Sequence, residues 1–117
     1  MNAEKFVASV RASVMRSAAD GTVASMNEPP GRGPAPELVA LGDWYRALSG
    51  SDREMVRRAL LEAAHAAVFG VFAVLDGARR VDPAQPPGQF ELYHVSPHGK
   101  IKLNGDLHDI LNSEPWR

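Results

Sequence analysis

Glu62 and His65 stand one helical turn apart in the most apolar stretch of the chain, Ala59 to Leu75, and they alone interrupt it. Residues three apart are neighbours on a helix surface. A histidine held beside a carboxylate in apolar surroundings is a pair from which tuned acid–base chemistry is built. These two residues are therefore the candidate pocket. The same pair also describes a core histidine satisfied by its neighbour, or one at the edge of an interface. No nucleophile or oxyanion donor stands close to it in sequence. The chain therefore leans away from being an enzyme, and no residue is assigned as catalytic.

The other histidines suggest a different chemistry. His94 and His98 are four apart across a strand end and a turn, and His108 approaches them if the last helix packs beside that turn. Three histidines suit zinc or another divalent metal, but dedicated metal sites use tighter spacing. Solvated polar residues are the simpler reading, so neither a metal nor a cofactor is expected. The absence of cysteine removes thiolate ligands, Cys nucleophiles and disulfides together. Gly31-Arg32-Gly33 lacks both the Lys-Ser/Thr ending and the preceding strand of a phosphate-binding loop.

Arg53, Arg57 and Arg58 cluster near the start of the same apolar stretch, beside Asp43, Asp52 and Glu54. With Tyr45, whose neighbour Trp44 points another way on a helix, they form the candidate interaction surface. The formal net charge is −1, from 13 basic and 14 acidic residues, so the excess that drives phosphate binding is missing and nucleic acid is not expected.

The elements that must position these groups are legible from periodicity. Phe6, Val7, Val10 and Val14 form one stripe of a helix over about 3–19, with Arg11 off the stripe and Asp20-Gly21 as its stop. Thr22–Met26 is then a helical turn or a short second helix. Residues 27–36 hold too many prolines and glycines for helix or central strand. Pro36 starts a helix over about 36–48, with Leu38, Leu41, Trp44, Tyr45 and Leu48 on its apolar face and Ser49-Gly50 at its end. Ser51 and Glu54 form a capping box for a helix over about 52–76, closed by Gly77. That helix is apolar almost all round, which predicts a long buried central helix or one face of a dimer. The apolar run after His65 is shorter than the ~18–20 residues of a membrane span, so no membrane is expected.

Residues 77–89 form a second loop, and the period then changes to that of strands. A hairpin over about 90–103 turns at Pro97-His98-Gly99, with Ser96 facing Lys100, Val95 facing Ile101 and Tyr93 facing Leu103. That register puts four apolar side chains on one core face. A short helix over about 106–113 follows, and Trp116 folds back on the core. The prediction is one α+β, mainly helical domain over 1–117: N-terminal helices around a long buried central helix, then a β-hairpin and a short C-terminal helix. Hydrophobic residues at 44% and charged residues at 23% match a packed soluble domain.

Asp43-Trp44-Tyr45, Leu48-Ser49, Asp52-Arg53, Val56-Arg57-Arg58 and Val74-Leu75-Asp76-Gly77 together resemble small stand-alone bacterial proteins of unknown function. The closing Leu107-His108-Asp109-Ile110-Leu111-Asn112 is similar to the same group. The resemblance implies a compact bacterial domain and carries no active site. No signal peptide is read at the N-terminus, which predicts a cytoplasmic address. The leading expectation is a non-enzymatic interaction module (adaptor, regulator or immunity-type) that binds an unknown protein or self-associates. The alternative is a small-molecule binder or enzyme using Glu62 and His65.

Overall fold

The computed structural model describes residues 1–84, 86 and 88–117; Gln85 and Pro87 of the expected 77–89 loop lie outside the described residues. Asn2 caps the first helix, its Oδ1 accepting the Lys5 amide at 2.9 Å. That helix does not stop at Asp20-Gly21. From α1 (Ala3–Val10) it runs unbroken through a π-helical segment (Arg11–Arg16) into α2 (Ser17–Asn27). The wider π turn changes which residues point inward. Val7, Arg11, Met15 and Ala19 are buried at every fourth position, whereas Val14 is 51% exposed. The stripe expected from a uniform period thus fails after Val10, and Arg11 goes inside. A mid-helix glycine costs roughly 1 kcal/mol, and the packing of α2 against both following helices outweighs that cost at Gly21.

The proline- and glycine-rich residues 28–35 form the expected loop, and α3 (Pro36–Arg46) packs against α2. Its inward positions are Gly42 and Tyr45, not Leu41 and Trp44, which are 42% and 51% exposed. Gly42 sets this rotation. A Cβ there would lie 2.6 Å from the Met26 carbonyl oxygen, so only glycine admits the close approach of α2. Arg46 Nη1 then donates to the Met26 and Asn27 carbonyls at 2.7 and 3.3 Å. Those are orphan carbonyls at the end of α2.

The long helix α4 (Gly50–Leu75) is capped by Ser49, whose Oγ accepts the Asp52 amide at 3.1 Å. Ser49 therefore opens α4 rather than ending α3, and the expected Ser51–Glu54 box lies inside the helix. At the other end Ala78 N–H reaches Ala73 O at 2.8 Å and Gly77 N–H reaches Val74 O at 3.1 Å. Gly77, at φ +79°, supplies the left-handed residue that this paired closure needs.

The antiparallel strands β1 (Tyr93–Ser96) and β2 (Gly99–Lys102) pair Ser96 with Gly99, Val95 with Lys100, His94 with Ile101 and Tyr93 with Lys102. Only Pro97 and His98 connect them. The register is one residue away from the expected one, so Val95 and Ile101 fall on opposite faces. Both are exposed, at 71% and 47%, because no core lies against either face to select a register. The hairpin is fastened at its base instead. Asn104 Nδ2 donates to the Leu75 and Phe90 carbonyls at 2.5 and 2.8 Å, while its Oδ1 accepts the Leu92 amide at 2.7 Å.

The last helix, α5 (Leu107–Asn112), lies across α1 and α4. Val7, Met15, Leu61, Phe72, Leu107, Leu111 and Trp116 make one buried cluster between them. The architecture is α+β, mainly helical, around a long central helix. That helix is enclosed on one side only: Leu61, Phe72 and Ala73 are its buried residues.

Candidate functional site

Glu62 and His65 do meet on one face of α4, beside the C-terminal segment rather than the hairpin. They line an open cleft of about 610 Å³ with Asn112 to Arg117. The His65 ring lies flat on Trp116, with centroids 3.7 Å apart and planes within 6°. Its Nε2–H donates to Asn112 Oδ1 at 2.8 Å. Glu62 accepts from Arg117 Nε at 2.6 Å and Nη2 at 3.4 Å. That hydrogen bond and the guanidinium charge outweigh desolvation and hold the Glu62 carboxyl below the ordinary carboxylate range. Both groups are therefore engaged with the chain's own end. No nucleophile joins them, and what they do chemically is clamp.

Two further groups belong to the same clamp and were not singled out from sequence. The Asp76 side chain, 0% exposed, caps the start of α5. Its oxygens accept the Gly105 amide at 2.6 Å, the His108 amide at 2.9 Å and His108 Nδ1–H at 2.6 Å. Burial pushes this carboxyl up, but the ring and amide hydrogen bonds overcome it and hold the pKa below its ordinary value. At the far end of α5, Arg11 donates to the Leu111 carbonyl at 3.1 Å and reaches Glu114 at 3.5 Å. The π turn in the first helix is what aims Arg11 there. An Asp-Gly stop and a basic residue beside an apolar stripe were the only signals, and neither names its distant partner.

His94 and His98 stay on the hairpin while His108 is tied to Asp76. Among the described residues no three metal-ligating side chains stand close enough to hold an ion.

The candidate interaction surface breaks apart. Tyr45 is 4% exposed and lies inside, with the Arg53 guanidinium 5.7 Å from its ring centre. Its inward turn follows from Gly42, as above. Arg53 donates to the Arg46 carbonyl. Arg57 pairs with Asp20 at 3.0 Å, tying α4 to α2. Arg58 is exposed, with Met55 Sδ 3.8 Å from its Nη1.

The surface that does stand open is the opposite side of α4. Ala59, Ala63, Ala66, Ala67 and Val71 are exposed there. Val74 continues the strip into a groove with Val81 and Phe90, which are 69% and 54% exposed. Arg79 folds over it, its Nη1 2.9 Å from where a Gly70 Cβ would be. By length and composition α4 is also apolar enough to cross a membrane. No family model, curated protein or solved structure matches this chain, and nothing found bears on the resemblance to small bacterial proteins.

Proposed function

We propose that this chain is a small cytosolic, non-enzymatic protein-interaction module that docks through the open side of α4. One observation supports this above the rest. A 26-residue helix whose stretch from Ala59 to Leu75 is apolar apart from Glu62 and His65 carries only three buried residues. Exposed apolar strips of this kind mark interaction sites on soluble domains. The pocket alternative loses support because Glu62 and His65 are both spent on holding the C-terminus.

Native mass spectrometry of the protein purified gently from its host tests the reading, with Val71→Asp beside it. Val71 is 58% exposed, so the substitution leaves the fold alone. A second polypeptide at fixed stoichiometry, lost in Val71→Asp, is the expected result. A bare single chain, or a complex indifferent to Val71→Asp, overturns it.

A further inference from the structure

We infer that the outer edge of β1 accepts an extended, acidic peptide segment of a partner protein as a third strand. This docking site is separate from α4 and stands or falls independently of it.

Backbone chemistry is the first argument. Among the described residues the sheet has two strands, so each strand has one side without a ladder. Leu103 N–H donates to Leu92 O at 2.8 Å, and the register continues with His94 opposite Ile101 and Ser96 opposite Gly99. Hydrogen-bonded pairs alternate along an antiparallel ladder. The pairs between them, Tyr93 with Lys102 and Val95 with Lys100, therefore turn their N–H and C=O groups outward. A row of such groups is what an added strand bonds to.

Side chains choose between the two edges. The outward positions of β2 are Lys100 and Lys102, and lysine on an edge discourages pairing. Those of β1 are Tyr93 and Val95, an aromatic and a β-branched residue that favour cross-strand packing. Val95 is 71% exposed. At the base the hairpin is fastened by Asn104, and Leu103 beside it is buried, so the edge is a fixed template.

Charge names the occupant. Residues 92–104 contain His94, His98, Lys100 and Lys102 and no carboxylate side chain. Tyr93, Val95, Lys100 and Lys102 share one face of the hairpin. Lys100 Nζ lies 4.1 Å from the Tyr93 ring centre, so it reaches across onto β1. A strand laid along β1 sets its side chains about 5 Å from Tyr93 and Val95, where acidic groups meet that ammonium. At the base, Glu91 accepts from the Tyr93 hydroxyl at 3.3 Å, which leaves the Val95 end as the favourable place for them. A second copy fits badly. Two β1 strands paired about a two-fold axis would add the partner's Lys100 and the partner's Lys102 to the same face, like charge beside like charge.

The probe is a heptapeptide of alternating Glu and Val, with the matching Lys and Val peptide as control. Each is titrated into the isotope-labelled full chain and followed by amide NMR. The Tyr93 and Val95 amides should shift most and exchange more slowly with solvent. The Glu peptide should bind at least about 5-fold tighter than the Lys peptide. Val95→Pro removes one outward N–H and no ladder bond, and should weaken binding at least about 5-fold. Lys100→Glu combined with Lys102→Glu keeps the backbone edge and should reverse the preference to the Lys peptide.

No shift at millimolar peptide, or equal binding of the two peptides, would overturn the proposal. So would binding unchanged by Val95→Pro, or shifts centred on α4. Should Val95→Pro unfold the hairpin, the reversed preference of the lysine variant decides alone. Tighter binding of single-stranded oligouridine than of the Glu peptide would make this a nucleic-acid surface instead. A dimer of the free chain that Val95→Pro abolishes would give the edge to a second copy.

Discussion

The two long sides of α4 are both apolar, one in bulky residues such as Leu61, Val68 and Phe72 and the other mostly in alanine, and they meet opposite fates. On the covered side, Leu61 and Phe72 pack into the core, and the groups facing the C-terminal segment are met: His65 by Asn112 and Trp116, Asp76 by Gly105 and His108. On the open side, alanines and Val71 meet solvent, and no buried polar group asks for a partner. Side-chain bulk distinguishes these sides, and so do the polar residues, because a buried carboxylate or imidazole is costly without a partner and so marks where the chain must fold back. Glu62 and His65, which look like chemistry in an apolar helix, mark the side that is already occupied.

The sharpest way to break the comparison is to place the same charge on each side. Val68 packs against the core and Val71, three residues on, does not. Val68→Asp should cost at least about 3 kcal/mol and unfold much of the protein. Val71→Asp should stay within about 0.5 kcal/mol of the parent chain when both are measured as monomers. Urea unfolding followed by circular dichroism reads both; equal losses would mean that the sides are not different.

The two tryptophans repeat the contrast at smaller scale. Trp116 is 7% exposed and stacked on His65, whereas Trp44 is 51% exposed. Trp116→Ala should destabilise by about 3 kcal/mol, and Trp44→Ala by less than about 0.5 kcal/mol.

Asp76→Asn should cost about 2 kcal/mol at neutral pH, from the weakened hydrogen bonds to His108 and Gly105. The Asp76 pKa is lower in the fold than its ordinary value of 3.8. Its contribution is therefore complete above that value and is lost as pH falls through the folded-state pKa. The parent chain should lose stability in that acid window, and Asp76→Asn should lose less there. Thermal melts from pH 6 to pH 2 would show it; parallel curves would mean that Asp76 is not the titrating latch.

The smallest effect belongs to Glu62, one of the two residues that the sequence makes most prominent. Glu62 and Arg117 face solvent, and exposed ion pairs contribute little. Glu62→Gln should leave the melting temperature unchanged within error, with the C-terminus still held by His65, Asp76 and Arg11. A large loss of stability would move Glu62 into the core of the clamp.

Much of this architecture was legible because it depends on local patterning. Pro36, the Pro/Gly loop before it, Gly77 and the periodicity of α4 each act on their neighbours within a few residues. The misreadings have a common origin. The sequence pattern ends the first helix at Asp20-Gly21 and keeps its stripe at a uniform period, because a π turn leaves no composition signal. The pattern leaves Tyr45 on an interaction surface because the close approach at Gly42 depends on Met26, sixteen residues earlier. The hairpin register assumed a core face that the fold does not provide. In the candidate site, His65 was found but its partners were not, since Asn112 and Trp116 lie far along the chain.

What this sequence determined by itself is therefore the set of elements: helices, a turn-closed hairpin, and one long helix with more apolar surface than the chain can cover. Propensity, capping and left-handed glycine positions act within a turn or two, so they are written locally. Only the tertiary structure decided which side of α4 the C-terminus occupies and which side it leaves open. That choice rests on pairings across dozens of residues, Arg11 with Leu111, His65 with Trp116 and Asp76 with His108. Each brings a polar or aromatic group to a partner that no local pattern specifies.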